Sequence, residues 1–126
     1  MADYRETVDY ILGIPLFAQK IGKENLSSLL CRLGNPEKAV PAIHVAGTNG
    51  KGSTCRALAQ MLAARGYRVG LFISPHLVSI NERIQINGTN ISDDDFVSAF
   101  ETVKGQFMEH PSFFEVMFAM AAVYFR

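Results

Sequence analysis

The stretch Gly47-Thr-Asn-Gly-Lys-Gly-Ser-Thr54 has residue types and spacing that could do chemistry. Glycines let the backbone turn tightly and bring amide N–H groups up to a phosphate without Cβ obstruction. A helix starting within the stretch would aim its N-terminus, with its partial positive charge, at the same point. Lys51 would add a full positive charge toward the β- and γ-phosphates of a nucleotide. Ser53 or Thr54 would offer a hydroxyl near a magnesium ion. The usual phosphate loop reads G-x-x-x-x-G-K-[ST]. Here Val45 stands where the first glycine should be, and Gly52 where the Ser/Thr should follow Lys51. An ordinary glycine-rich turn is therefore the competing reading. The flanks favour phosphate binding, because an apolar run precedes the loop and a helical pattern follows it.

Those flanks set the expected elements. Ala42–Ala46 reads as a short strand, and Cys55, Leu58, Ala59 and Leu62 share one face of the helix that follows. Gly66 should stop that helix, and Arg68–Ser74 reads as a second strand. Strand, loop, helix and strand in this order make a βαβ unit, whose two strands should be parallel. Before it, Asp3 could cap a helix with Glu6 as partner, its apolar face being Tyr4, Val8, Ile11 and Leu12. Leu26, Leu29, Leu30 and Leu33 mark a second helix that Gly34 ends. After the βαβ unit, Arg83–Ile86 alternates weakly into Asn87-Gly88, a tight-turn signal. Ser92 with Asp93, Asp94 and Asp95 should cap a helix with the stripe Val97, Phe100, Val103 and Phe107. Ser112 opens a last, nearly all-apolar helix. His44 is expected in the core of its strand, and Met108, Met117 and Met120 as core filler.

Composition excludes several classes. Twelve basic residues balance twelve acidic ones among 126, so no general nucleic-acid or anionic-membrane surface is expected. The chain is 48% hydrophobic and 19% charged, which argues against disorder. Cys31 and Cys55 have no metal-type spacing and read as reduced thiols of a cytoplasmic protein. No signal peptide is visible at the start, and the longest apolar segment, Phe113–Phe125, is short of the roughly 20 residues of a membrane span. The chain stops inside that segment, which suggests a truncated protein exposing hydrophobic surface.

His44-Val-Ala-Gly-Thr-Asn-Gly-Lys-Gly-Ser-Thr54 resembles the ATP loop of the folylpolyglutamate synthase/dihydrofolate synthase family, within the Mur ligase superfamily. Both departures from the usual motif belong to that family's own pattern. Phe72-Ile-Ser-Pro-His-Leu-Val78, Asn81-Glu-Arg-Ile84 and Asn87-Gly88 resemble a second family block, and Phe113-Phe-Glu115 a third. Lys20-Ile-Gly22 and Asn25-Leu26 resemble it more weakly.

The resemblance implies an α/β fold: the P-loop-containing, parallel-sheet, three-layer ATPase domain of Mur-ligase type, incomplete at its C-terminus. Residues 1–126 would be the N-terminal part of that ATP-binding domain, with its remainder and a C-terminal glutamate-ligase domain absent. The implied activity is ATP-dependent addition of L-glutamate to folate or dihydropteroate through an acyl phosphate, releasing ADP and phosphate. This chain alone would be inactive. Thr48, Asn49, Gly50, Lys51, Gly52 and Ser53 would bind the ATP phosphates, Lys51 acting in catalysis. Ser74 would be a Mg²⁺ ligand, or simply a strand-ending serine. His76 and Arg83, in a loop resembling one that closes over the folate, would touch substrate or stay solvated. Ser112, Phe113, Phe114 and Glu115 would lie against the pteroate, although Ser112-x-x-Glu115 is also a capping box. The full-length enzyme is expected to be a cytoplasmic monomer without nucleic-acid or membrane partners. A Mur-type peptidoglycan precursor ligase is the alternative, as is a non-catalytic nucleotide-binding protein if the chain is complete.

Overall fold

The computed structural model describes residues 3–15, 22–47 and 49–126. It divides into two compact units: Pro41–Ser92, and the chain on either side of that stretch.

The flanking unit is helical. Asp3 caps α1 (Tyr4–Leu12) by accepting from the Glu6 amide at 2.8 Å. α2 (Gly22–Arg32) ends as its sequence predicts, with Gly34 left-handed at φ +85°. The Asn35 amide reaches the Leu30 carbonyl at 2.8 Å and the Gly34 amide the Cys31 carbonyl at 3.0 Å, a Schellman stop. α4 (Asp93–Lys104) carries three carboxylates in its first turn and Lys104 in its last, both favourable to the helix dipole. α5 (Phe113–Phe125) packs on α1, α2, α4 and a short 3₁₀ turn at Pro36–Lys38.

The core of this unit comprises Ile11, Leu29, Leu30, Leu33, Phe96, Val97, Phe100, Val103, Val116, Met117 and Met120, all buried. Leu29, Leu30 and Leu33 of the first expected stripe and Val97, Phe100 and Val103 of the second face it, with Phe96 added, whereas Leu26 and Phe107 are half-buried, Phe107 lying past the end of α4. Met108 departs from expectation at 80% exposed, since it follows the end of α4 rather than sitting on a packed helix. α5 is covered better than expected: α1, α2 and α4 bury seven of its residues, including three alanines that allow close approach.

The Pro41–Ser92 unit contains α3 (Lys51–Ala64) and a three-stranded sheet of β1 (Gly70–Phe72), β2 (Ile84–Ile86) and β3 (Thr89–Asn90). Both pairings are antiparallel. Asn87 and Gly88 join β2 to β3 with φ +49° and +80°. These are the two positive values a type I′ hairpin turn requires, so the tight-turn signal is borne out. The Asn87 side chain also accepts from the Val69 amide at 2.8 Å, extending the edge of the ladder.

The parallel pairing expected for Ala42–Ala46 with Arg68–Ser74 is not formed among the described residues. Residues 41–47 take no strand partner, and Ile43 is 66% exposed. β1 instead spends its hydrogen bonds on β2, in the register Leu71 opposite Gln85. His44, expected in a strand core, is exposed for the same reason. α3 packs on β1 but buries none of its residues, so Leu58 and Leu62 remain half-exposed. Exposed apolar side chains occur instead at Ile43, at Met61 on α3, and at Leu77 and Val78.

Candidate functional site

The loop before α3 is built by glycine. Gly47 and Gly50 have φ of +152° and +74°, a region that L side chains rarely adopt. Gly50 is the N-cap of α3, and its carbonyl accepts the first helical bond, from the Thr54 amide at 2.9 Å. Asp3 and Ser112 cap α1 and α5 with their side chains, whereas Gly50 has none to offer. The amides at the start of α3 therefore meet no cap from their own N-cap residue. The first turn holds no carboxylate either. A tetrahedral oxyanion complements such an end, through both the N–H groups and the helix dipole.

Lys51, the first residue of α3, is exposed. A Cβ placed on Gly47 would lie 3.9 Å from Lys51 Cγ, so the lysine stem folds back over the loop it follows. Asn49 and Ser53 are exposed and Gly52 half-buried. Thr48 lies outside the described residues. A cleft of about 400 Å³ between α3 and the sheet, lined by Arg56, Gln60, Leu71, Gln85 and Asn87, involves none of these loop residues.

Ser74 follows β1 and is exposed, before a cis bond to Pro75. No group of three His, Cys, Asp or Glu side chains able to hold a metal occurs among the described residues. A lone neutral hydroxyl does not make a protein cage. It does suit Mg²⁺ carried by phosphates, since that ion keeps waters and takes one or two protein oxygens.

The segment after Ser74 is tightly organised. Its centre is Glu82, on a 3₁₀ turn at Ile80–Arg83 capped by Ser79. The Glu82 carboxylate accepts from the amides of Leu77 at 2.9 Å, Val78 at 2.9 Å and Ser79 at 2.7 Å. The Leu77, Ser79 and Val78 amides, in that order of weight, hold its carboxyl below the ordinary glutamate range. Arg83 Nε donates to His76 Nδ1 at 2.8 Å. Burial first, and the Arg83 charge second, push the His76 imidazole below its ordinary value. A nitrogen that accepts from a guanidinium carries no proton, so His76 is the neutral tautomer with its hydrogen on Nε2. Beneath the loop, Asn81 is buried and donates to the Ile91 carbonyl at 2.7 Å, between buried Ile80 and Ile84.

His76 and Arg83, predicted separately, are thus one bonded pair. The sequence carries a signal for the Glu82 role too: Ser79-x-x-Glu82 has the same S-x-x-E pattern that marks Ser112-x-x-Glu115.

In the other unit, the Ser112 hydroxyl accepts from the Glu115 amide at 3.3 Å, and Glu115 Oε1 accepts from the Ser112 amide at 2.9 Å. The capping-box reading of this block is correct. Phe113 is buried, so it belongs to the core, while Phe114 is 54% exposed. Cys31 and Cys55 are free thiols. No described helix is long and apolar enough to cross a membrane.

Known proteins resemble this chain in sequence and fold. No protein-family model matches the chain. A dihydrofolate synthase/folylpolyglutamate synthase of Bacillus subtilis is 40% identical over 97% of the chain and 30% of its own length. A folylpolyglutamate synthase crystal structure from Thermotoga maritima superposes with a TM-score of 0.89 at 42% identity, covering 97% of this chain and 30% of that one. An FPGS–AMPPCP–folate complex superposes with a TM-score of 0.92 at 38% identity, covering 98% and 32%. The fold class is thus that of the Mur-ligase-type synthases, represented by part of a domain. Over its own residues the chain belongs to the folylpolyglutamate synthase/dihydrofolate synthase family, and it spans about a third or less of the length of these relatives.

Proposed function

We propose that this chain is the N-terminal part of the ATP-binding domain of a longer ligase, which joins L-glutamate to folate or dihydropteroate and releases ADP and phosphate. The observation that carries the reading is a side-chain-free, glycine-capped helix N-terminus followed at once by Lys51, in a chain 38% identical to a synthase described with AMPPCP and folate. AMPPCP is an ATP analogue with a methylene between its last two phosphorus atoms, so it fits a site for intact triphosphate.

The chemistry explains the parts. A carboxylate resists an amine because it is a poor electrophile with no good leaving group. Transfer of the γ-phosphoryl group to one carboxylate oxygen gives an acyl phosphate and ADP. The glutamate amine then adds to the carbonyl carbon, loses a proton, and phosphate departs with that oxygen. The transferring group spreads charge over its equatorial oxygens. The amides from Gly50 to Ser53 and the Lys51 ammonium meet that charge with donors already oriented, at little reorganisation cost. By their positions in the loop motif, Thr48 and Asn49 would also bind the phosphates. Magnesium, when bound, neutralises phosphate charge, and the Ser74 hydroxyl would hold it.

In this reading His76 and Arg83 face the pterin-bearing substrate, the neutral imidazole through its Nε2–H. Within the other unit, Ser112, Phe114 and Glu115 would each contact the pterin-bearing substrate, with Glu115 acting as cap and acceptor together. Phe113 would support its neighbours from the core. The enzyme works as a cytoplasmic monomer on small molecules, without nucleic acid or membrane, and this chain alone does not ligate.

The test is ADP release by the full-length protein, with each substrate omitted in turn. Release that needs both a pterin-bearing carboxylate and glutamate is expected. Release driven instead by UDP-linked muropeptide precursors would overturn the reading in favour of a peptidoglycan ligase.

A further inference from the structure

The segment from Pro75 to Arg83 has two halves of different character. Ile80, Asn81 and Ile84 are buried, and Asn81 is tied to Ile91. Leu77 and Val78 are 87% and 91% exposed, the most open large apolar side chains among the described residues. Side chains that open supply no packing energy to hold their own backbone. The bonds that do hold it converge on one carboxylate. Glu82 stands on the anchored half and uses both oxygens to gather three successive amides of the open half. Charge-assisted bonds of this kind are shorter and stronger than neutral ones. His76 adjoins the gathered amides and is fixed at its other side by Arg83, the residue after Glu82.

We propose that Glu82 is a positioning residue for the pterin-bearing substrate: by gathering the Leu77, Val78 and Ser79 amides it presents the His76 Nε2–H and the Leu77 and Val78 side chains in one fixed arrangement. The proposal rests on the ligase reading above. It makes Glu82 act through its neighbours, without touching the reacting atoms. The depressed Glu82 carboxyl agrees, because bonds to the charged form stabilise that form. Two apolar side chains held open beside a neutral donor suit a flat heteroaromatic ring with polar edges. They suit a diffuse polyanion poorly.

Glu82→Gln tests this. The amide keeps the side chain's shape but offers one acceptor oxygen and turns an N–H₂ group toward an N–H. In the full-length enzyme the expected result is a KM for the pterin substrate raised about tenfold, the loss that goes with misplaced substrate contacts, with KM for ATP unchanged. Glu82→Asp keeps the charge but falls a methylene short of the three amides. It should raise the same KM, which separates reach from charge. In this chain, amide hydrogen exchange at Leu77, Val78 and Ser79 should speed up in Glu82→Gln while exchange in α4 stays constant. An unchanged pterin KM or unchanged exchange overturns the proposal, and so does a parallel loss of ATP affinity. Absence of pterin-dependent ADP release in the unmutated enzyme would instead defeat the functional reading itself.

Discussion

Gly50→Ala separates the cost of backbone strain from the cost of a damaged phosphate cradle. Gly50 sits at φ +74°, and a Cβ built there meets nothing within 4 Å. The substitution therefore clashes with no neighbour, and its cost is conformational. A left-handed L residue costs roughly 1–2 kcal/mol, and the stiffer unfolded chain returns roughly half of one. A net loss near 1 kcal/mol corresponds to about 4 °C of melting temperature at this chain length. Gly66 supplies the control. It ends the same helix at φ +93°, also with nothing within 4 Å of its Cβ. Gly66→Ala should cost the same stability, since the strain is the same.

The two variants should part company in nucleotide binding. At Gly50 the chain can relieve strain by turning the peptides that lead into Lys51, which swings amides away from the phosphate. About a tenfold loss of affinity for an ATP analogue is expected, as for small misplacements of positioned groups. Gly66→Ala should bind as the parent does. The assay is titration of the analogue against each variant, followed by amide resonances of Asn49–Thr54, beside a thermal melt. Equal nucleotide affinity in the two variants at equal melting temperature would refute the role given to the loop.

Other expectations follow from single contacts. Ser112→Ala removes the α5 cap and should cost about 1 kcal/mol in chemical denaturation; no loss would contradict the observed box. Met120→Ala empties a fully buried site between helices and should cost about 2–5 kcal/mol, read the same way. His76 has its folded value below the ordinary 6.5, so the unfolded chain takes up the proton first as pH falls. Its contribution to stability is complete above 6.5 and declines below it, and the Glu82 contribution follows below the ordinary 4.5. An NMR titration should give a His76 midpoint under 6.5 that rises in Arg83→Gln; a midpoint at or above 6.5 would contradict the pairing.

Local chemistry in this sequence carried far. The Gly34 and Gly66 stops, the Asn87-Gly88 turn and the Ser112–Glu115 box each depend on a few adjacent residues, and each formed as the sequence predicts. The helical stripes on α2 and α4 were legible for the same reason. What depends on distant partners was less so. Ala42–Ala46 has the composition of a buried strand, but composition does not name a neighbour, and among the described residues none is paired with it. The antiparallel partner of β1 comes from Ile84–Ile86, whose short alternation gave a weak signal. At the site, the phosphate loop was readable because glycine conformation and helix start are local. The His76–Arg83 bond was not, since seven residues separate partners that only the intervening turn brings together.

The acyl-phosphate route is the central claim, and oxygen transfer tests it most directly. The pterin-bearing substrate, labelled with heavy oxygen in its reacting carboxylate, is turned over by the full-length protein with ATP, magnesium and glutamate. One labelled oxygen should appear in the released inorganic phosphate for each amide formed. Label confined to the amide product and water, with none in phosphate, would contradict the account.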